Sequence, residues 1–589
     1  MITSFPVWRL KVIRTFVWIL GVLLIPGVSV RATDDSTGSK MAADRVFIEG
    51  AIHTMNSDQP RVDAVAIKNG EIIFVGSKEA ANDYIGESTV VTKLDGKMLM
   101  PGFHDAHAHI LAGGISETQC NLQDVRDQQQ VLKLLETCRE KGAGKIGDWV
   151  TGNRWALAAF PEGNPRKEVL DEIFGDRPVY LVDTWGHSAW VSSRALQLAG
   201  INGKTPNPPQ GVIEKDSQTG EPTGTLRDGA MQLVQKQVPE PTLELLTRAL
   251  RIGMEKANAF GITSYIEPGL NAKHIAAYLE LDRTGGLTAR VLVSLAPDSW
   301  DAKAFGTEIF DLVARREEFR RPYLSPDSVK IYADGVPETH TAYLVDGYAD
   351  GAENFPPFYS PETLNDFVQK LDAQGLQVHI HATGDNAVRM ALNAFEYAIS
   401  KNGRNDNRHH IVHVQMVHPE DIPRFGKLGV AANFQSLWAY YDEYTAVATR
   451  ILGPDRVNRY YPIGSILRSG GMIVGGSDWD VSSLNPLDAI EVGVRRQIPD
   501  GDSRAVFNEA ERVSLNTMLQ AYTSNAAYVM RQEILTGTIE VGKRADLIVL
   551  DRDLLQIPVT EINEANVLLT LVNGKEVYKS PQLQTGPQN

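Results

Sequence analysis

Cysteine is scarce in this sequence: Cys120 and Cys138 are the only two among 589 residues. A chain of this length with 43% apolar residues can bury a full hydrophobic core without disulfide bonds or metal ions. The composition therefore indicates a globular protein with one large domain or two to four smaller ones. Two cysteines permit a single bridge in an oxidising compartment but do not require one, so this pairing stays open.

Basic residues are fewer than acidic residues. The chain has 58 Lys and Arg against 73 Asp and Glu, which gives a formal net charge of -15 at pH 7. Proteins that bind nucleic acids or anionic membrane surfaces concentrate Lys and Arg, and no basic block occurs here. The charge balance therefore disfavours both kinds of partner.

A long apolar run stands near the N-terminus, where FVWILGVLLIPGVSV follows three basic residues, Arg9, Lys11 and Arg14. The small residues of VRA at 30–32 supply a cleavage site. We therefore predict a signal peptide over residues 1–32, a polar linker over 33–43, and export to the periplasm or the cell exterior. The alternative is an uncleaved membrane anchor, although the run is short for a membrane span.

Both ends of the remaining chain have β-strand patterns. Near the start, AVAIKNGEIIFVG alternates apolar and polar residues around Asn69-Gly70, and near the end VLLTLVNGKEVY does so around Asn573-Gly574. Asn-Gly between such runs is typical of a tight hairpin turn. Because each end alone has few strands, we predict that residues 44–99 and 533–580 form one composite β-sandwich.

Eight apolar, strand-like runs alternate with helical patterns between these ends. They are GFHDAHAHI, GITSYIEPG, RVLVSLAP, SVKIYADG, LQVHIHATGD, HHIVHVQ, GVAANFQ and GMIVGGSD. Parallel βα units repeated eight times predict an α/β fold with a (β/α)8 TIM-like barrel over residues 100–532, whose functional groups lie at the carboxyl ends of the strands. A large insertion of about residues 111–259 follows the first strand, and we expect it to cover the barrel mouth.

The first of these runs has an unusual density of histidine. In an extended strand Asp105, His107 and His109 share one face, while His104 points to the other. Two imidazoles on one face can bind the same metal ion, although a single His-x-His pair is weak evidence for such a site.

Further candidates lie in the later strands, and all of them can reach the same end of a barrel. Charged or imidazole groups there are costly unless they are paired or bind a metal, so the set indicates a metal site. The predicted ligands are His107, His109, Lys330, His381, His413 and Asp478.

Lys330 and three other polar residues have more than one interpretation. Lys330 lies between Val329 and Ile331 in a strand, where a neutral amine could react with carbon dioxide to give a carbamate that bridges two cations. His379 shares a strand face with His381 and fits either a residue that supports a ligand or an ordinary buried polar group. His410 fits an ordinary strand residue, and Asp385 fits a helix cap.

Together, MPGFHDAHAHI, GHSAWVSSRAL, VKIYADG, IHATGDNAV, RHHIVHVQ, VGGSDWDVSSLNPL and GTIEVGKRADLIVL resemble motifs of the amidohydrolase superfamily. The resemblance is to the amidohydrolase family 3 group, which contains N-substituted formamide deformylase and the YtcJ-like proteins. It implies a metal-dependent hydrolase on a TIM-like barrel with a composite β-sandwich.

The resemblance also implies roles for individual residues. His107, His109, His381 and His413 match metal ligands, Lys330 matches a carboxylated lysine that bridges the ions, and Asp478 matches an aspartate that binds metal and transfers the proton. His187 matches a position near the substrate. Among the aromatic residues of the insertion, Trp155 is our candidate for a substrate contact, with core packing as its alternative.

The function that follows is an exported hydrolase with two divalent metal ions, expected to be zinc, whose metal-activated hydroxide cleaves a carbon-nitrogen bond in an amide, N-formyl group or cyclic amide. Lys330 and Asp478 are its predicted catalytic residues. Its expected partner is a small-molecule substrate, with no nucleic acid, membrane contact only through the signal segment, and a homo-oligomer left open. The alternatives are a hydrolase of a lactone or other ester-like bond and a non-catalytic regulatory protein on the same fold.

Overall fold

A computed structural model describes residues 41–123, 125–184, 188–208, 211–297, 302–499 and 505–583. The predicted signal peptide and nearly all of the predicted linker lie outside the described residues. Within the described residues, no helix is both long enough and apolar enough to span a membrane.

The central element is a nearly closed barrel of eight parallel strands, which confirms the predicted fold. The strands follow one another around the barrel in chain order, and they are Phe103–Asp105, Ile262–Leu270, Arg290–Leu295, Leu324–Tyr332, Gln377–Ala382, His410–His413, Ala431–Phe434 and Ile473–Gly475. The first and last strands are joined by a hydrogen bond from Ala106 N to Gly475 O at 2.9 Å. Each strand overlaps one of the eight runs predicted from the sequence.

Helices surround the barrel and connect its strands. Those of the barrel are Ile110–Thr118, Leu243–Ala259, Ala272–Arg283, Ala302–Ala314, Arg316–Phe319, Pro361–Asp372, Asp385–Asn402, Ile422–Leu428, Glu443–Leu452, Pro454–Val457, Ile463–Arg468, Pro486–Arg495, Leu515–Ala521 and Ser524–Val529. The remaining helices are Lys78–Ala81 near the N-terminal strands, and Gln128–Lys141, Lys167–Phe174, Ser193–Leu198 and Met231–Gln235 in the insertion.

The first two barrel helices pack backbone to backbone through glycine. A Cβ atom at Gly114 would lie 2.0 Å from Ala249 O, and one at Gly253 would lie 2.4 Å from Ile110 O. Only glycine permits such a close approach of the two chains. Helices Ile110–Thr118 and Leu243–Ala259 therefore belong to the barrel, and the insertion proper lies between them.

The insertion has a sheet of its own. Its strands are Cys120–Asn121, Lys145–Ile146, Trp149–Trp155, Val179–Asp183, Ser188–Val191, Gly211–Lys215 and Pro222–Asp228. Cys120 and Cys138 form a disulfide with their Cα atoms 5.4 Å apart, which resolves the pairing that the sequence left open. An exposed ion pair between Arg126 Nη2 and Glu443 Oε1 at 3.8 Å connects the insertion to a barrel helix.

Strands from both chain ends form a third, composite sheet. They are Arg45–His53, Arg61–Lys68, Glu71–Gly76, Val90–Lys93, Met98–Pro101, Leu547–Leu550, Val567–Val572 and Lys575–Lys579. The N- and C-terminal parts join where Met98–Pro101 pairs antiparallel with Leu547–Leu550. Phe47 and Val65 from one end and Leu547 and Leu569 from the other share one buried apolar cluster.

The two predicted hairpin turns are confirmed in this sheet. Lys68 pairs with Glu71 and Val572 with Lys575, so each hairpin has a two-residue loop. Both Asn-Gly loops have positive φ at both residues, as the tight turn between two twisted strands requires.

Because the sheet is built from both chain ends, we predict that neither end folds alone. Deletion of residues 533–589 is expected to leave the protein insoluble, because strand Met98–Pro101 becomes an open edge and the shared apolar cluster loses its C-terminal half. The matched control is deletion of residues 584–589, which should leave solubility unchanged. Soluble yield and circular dichroism check both chains, and a soluble, folded long deletion would show that the composite sheet is not needed.

Candidate functional site

His107 and His109 lie just beyond the first barrel strand, which ends at Asp105. The strand alternation expected for 105, 107 and 109 therefore does not operate here, and hydrogen bonds place the two histidines instead. Asp105 Oδ1 accepts from the backbone N–H of His107 and of Ser477, both at 3.0 Å. Asp105 thus ties the end of the first strand to the segment that follows the last strand.

Asp478 is the point at which the predicted ligands converge. Its Oδ1 atom lies 3.2 Å from Nε2 of His107 and 3.2 Å from Nε2 of His109, and its Oδ2 atom lies 3.9 Å from Nδ1 of His413. Single donor atoms of His107, His413 and Asp478 all lie within 4.8 Å of one another, and all three residues are buried. The structure thus brings together side chains that lie at or just beyond the carboxyl ends of strands one, six and eight.

The other two predicted ligands lie in strands four and five, beside this group. The ring of His381 contacts that of His413, with a centroid separation of 4.5 Å. Lys330 is 1% exposed, and its Nζ atom lies 4.8 Å from the ring centroid of Tyr332. Strands four and five are paired so that Lys330 lies beside His379 and Tyr332 lies beside His381. Alternate residues of a strand share one face, so these four side chains all face the barrel interior.

Neighbouring groups fix which nitrogen of each imidazole carries the proton. His107 donates from Nδ1 to His379 Nε2 at 3.0 Å, which leaves its Nε2 atom toward Asp478. His413 donates from Nδ1 to Gln435 Oε1 at 2.8 Å, and His381 donates from Nε2 to Gly335 O at 3.0 Å. One nitrogen of each of these rings therefore remains an acceptor, which is the form in which histidine binds metal.

The hydrogen bond from His107 continues inward as a chain. His379 donates from Nδ1 to Ser294 Oγ at 3.1 Å, and Ser294 donates to Ser328 Oγ at 2.8 Å. His379 thus has the supporting position that the sequence left as one of two interpretations. His410 packs edge-on against His379 with centroids 4.1 Å apart, yet neither of its ring nitrogens has a hydrogen-bond partner among the described residues.

Backbone conformation at the site departs from regular strands. His413, Val414 and Asp478 have φ values of 77°, 48° and 53°, in the left-handed region that residues other than glycine rarely adopt. Strict alternation from His410 would point Val412 rather than His413 in the same direction. The left-handed backbone at His413 breaks this alternation, and the His413 ring therefore reaches Asp478. Backbone strain of this kind clusters at functional sites.

Burial controls the protonation of these groups. It lowers the pKa of His107 to about 3, where the nearby Lys330 adds to the effect, and it lowers the pKa of His381 to about 4, so both rings are neutral near pH 7. Burial also lowers the pKa of Lys330 to about 7. Although burial opposes it, contact with His107 and His109 holds the pKa of Asp478 well below its usual value.

Of the two predicted substrate contacts, Trp155 and His187, the structure describes only Trp155. Trp155 is fully buried in the core of the insertion, where its indole Nε1 donates to Leu181 O at 3.0 Å and its ring contacts Phe160 and Trp190. Core packing therefore accounts for Trp155, and a substrate contact would require this core to open. His187 lies outside the described residues, so its role stays a prediction.

Sequence reasoning missed Gln435 and Asp334, which support the site. Gln435 follows the seventh strand and holds His413, while the ring of Trp438 stacks on His413 with centroids 5.6 Å apart. Asp334 follows the fourth strand and accepts from the backbone N–H of Thr383 and Gly384 beside His381. Gln435 directly follows the seventh strand and Asp334 lies two residues after the fourth, and that location was the signal that could have identified them.

Comparison with known proteins decides the family. The sequence model of the amidohydrolase family matches residues 91–578, which is most of the chain. The chain belongs to the amidohydrolase family. Members of this family are metal-dependent, and the histidine and carboxylate donors around Asp478 suit a divalent ion.

Individual amidohydrolase relatives cover nearly the whole chain. Protein LONG AFTER FAR-RED 3 of Arabidopsis thaliana is 31% identical, over 91% of this chain and 92% of its own. N-substituted formamide deformylase of Arthrobacter pascens is 26% identical, over 91% and 98%. A solved metal-dependent hydrolase of Pyrococcus furiosus has a TM-score of 0.70 at 25% identity and covers 87% of this chain and all of its own.

The hydrogen bond from His107 to His379 predicts that the loss of His379 weakens metal binding by this amidohydrolase. His379→Leu is expected to weaken zinc binding by about 10 to 100-fold, because His107 loses the acceptor that fixes its ring. The control is His410→Leu, which changes a ring that contacts His379 but makes no hydrogen bond within the described parts of the chain, and zinc binding should be unchanged. Zinc titration against a chelator measures both, and equal losses would assign the effect to packing.

Proposed function

We propose that the protein is an exported amidohydrolase that cleaves a carbon-nitrogen bond in an amide, N-formyl group or cyclic amide. The observation that carries this proposal is the convergence of His107, His413 and Asp478 at the carboxyl end of the barrel, beside the buried amine of Lys330. Support for the bond type comes from the family and from the relative that is an N-substituted formamide deformylase. Export rests on the N-terminal sequence alone.

We propose that the donor set holds two divalent ions and that the metal is zinc. His107, His109 and Asp478 form one group of donors, and His381 and His413 form a second, with Asp478 contacting members of both. Imidazole and carboxylate donors suit zinc. When bound, such ions supply Lewis acidity, which polarises a substrate carbonyl and makes water nucleophilic near neutral pH.

Lys330 is proposed to supply a second anion beside the carboxylate of Asp478. With its pKa near 7 the buried amine is partly neutral, and the neutral form can react with carbon dioxide to give a carbamate. A carbamate carries two oxygens and a negative charge, so it offsets the repulsion between two cations held in a small space. We propose carboxylated Lys330 as the bridge between the two groups of histidines.

Asp478 is the proposed proton carrier. It remains ionised because its pKa lies well below the usual value, and each of its oxygens faces an imidazole. The carboxylate would accept the proton of the attacking water and return it to the leaving nitrogen. Trp438, stacked on His413, would form a wall for the substrate, and His187 would contact the developing oxyanion.

Lys330→Ala tests the bridging role. This variant is expected to lose at least one metal ion per chain and its turnover, because the two cations would face each other with too little negative charge between them. Short carboxylic acids such as acetate should partly restore both, by occupying the space of the carbamate. Metal analysis and kinetics with and without acetate check this, and two retained ions with normal turnover would exclude the carbamate.

Asp478→Asn tests the proton transfer and the reaction class together. An amide oxygen can still coordinate a metal but cannot accept a proton, so metal content should largely persist while turnover falls about 10² to 10⁴-fold. Wild type and variant are compared on a panel of N-formyl and N-acyl amines, cyclic amides and lactones, and acetate should not restore the variant. A wild-type protein that binds metal but turns over only lactones would contradict the carbon-nitrogen assignment, and one that turns over nothing would favour a regulatory role.

A further inference from the structure

Glu267 lies in the second barrel strand and is 1% exposed. Three groups donate hydrogen bonds to its carboxylate. The backbone N–H of Ile110 donates to Oε2 at 2.9 Å, that of Leu111 donates to Oε1 at 3.3 Å, and the hydroxyl of Tyr278 donates to Oε2 at 2.7 Å. Sequence reasoning gave Glu267 no role.

The two backbone groups belong to the first turn of helix Ile110–Thr118, whose N-cap residue is His109. An N-cap side chain ordinarily accepts hydrogen bonds from the first free N–H groups of its own helix. His109 makes no such bond, because its Nε2 atom is directed at Asp478 Oδ1, 3.2 Å away. Glu267 replaces the missing cap from a neighbouring strand and so frees the His109 side chain for the site.

Backbone hydrogen bonds hold His109 itself through both its N–H and its carbonyl group. Its N–H donates to Trp479 O at 2.7 Å, and its carbonyl accepts from Gly113 N at 2.8 Å. The next two amides are fixed by Glu267, and Tyr278 in turn fixes the Glu267 carboxylate. The ring of His109 is itself only partly buried, with a side-chain exposure of 25%, so its direction depends on the backbone that carries it.

We propose that Glu267 is a positioning residue that sets the metal affinity of the His109 side of the site, by fixing the two amides that follow His109. This inference rests on the proposed function, because it requires His109 to bind metal. Glu267 is not one of the proposed metal ligands, so its effect would pass through His109. It should therefore change metal affinity more than turnover at saturating metal.

Glu267→Gln is the test variant. A glutamine can accept through one oxygen only, and its NH2 group then faces one of the three donors, so at least one bond is lost. We expect the zinc Kd to rise about 10 to 100-fold, the usual effect of removing a group that orients a ligand. Turnover at saturating zinc should stay within a few-fold of wild type. Zinc Kd is measured by chelator competition, together with kcat across zinc concentrations and the melting temperature of the zinc-free protein.

Glu511→Gln is the matched control. Glu511 is a buried carboxylate that accepts from Ser465 N at 2.7 Å and Ser465 Oγ at 2.6 Å, in helix Ile463–Arg468. This variant makes the same chemical change in a helix whose amides do not follow a proposed ligand. Both variants should lower the melting temperature of the zinc-free protein, and only Glu267→Gln should weaken zinc binding.

Tyr278→Phe provides a second, milder variant. It removes one donor and leaves both amide bonds, so its zinc Kd should lie between those of wild type and Glu267→Gln. If Glu267→Gln does not fold, an unchanged zinc Kd in Tyr278→Phe overturns the inference. Wild-type zinc affinity in Glu267→Gln overturns it as well, as does an equal loss in Glu511→Gln. A wild-type protein that binds no zinc overturns the proposed function and this inference with it.

Discussion

The carboxylate of Asp478 is the group on which the site depends. Its two oxygens face imidazoles from the first and sixth barrel strands, although these residues are more than 300 positions apart in the chain. Burial of a carboxylate without partners is costly, so Asp478 depends on the imidazoles that contact it and, in the proposed function, on the cations that these groups would hold. The barrel supplies those partners because the carboxyl ends of its parallel strands meet at one face.

Around this group the barrel interior provides a set of supporting hydrogen bonds that differ from ligand to ligand. His107 is hydrogen-bonded to His379, which is hydrogen-bonded in turn to a pair of serines. His413 is hydrogen-bonded to Gln435, and His381 to a backbone carbonyl. In each case one ring nitrogen is occupied and the other stays available as an acceptor. A site whose members are oriented in this way needs little reorganisation to bind a cation.

The sequence predicted the architecture well because hydrophobic periodicity and Asn-Gly turns are local signals. All eight barrel strands and both hairpins were predictable from runs of fewer than fifteen residues, and the joining of the chain ends followed from the small number of strands at each end. The resemblance of motifs supplied the ligand set, and three of its members, His107, His413 and Asp478, form the compact group of donor atoms. The disulfide between Cys120 and Cys138 was left open because spacing alone does not fix a bridge.

Features that depend on tertiary context were not predictable in this way. Alternation along a strand does not place His107 and His109, since the strand ends at Asp105, and it does not place His413, whose left-handed backbone breaks the pattern. The aromatic character of Trp155 suggested a pocket, but its burial in the insertion depends on contacts with Phe160 and Trp190. Glu267 carries no local signal, because the helix that it caps lies more than 150 residues earlier in the chain.

The most direct test of this account is the position of bound metal. Crystals of the mature protein grown with zinc should be measured on both sides of the zinc absorption edge, and the anomalous difference map compared with the donor atoms. The account predicts two peaks at the carboxyl end of the barrel, within about 2.0 to 2.2 Å of nitrogens of His107 and His413 and of an oxygen of Asp478. Anomalous peaks confined to the protein surface, with none in contact with Asp478, would contradict it.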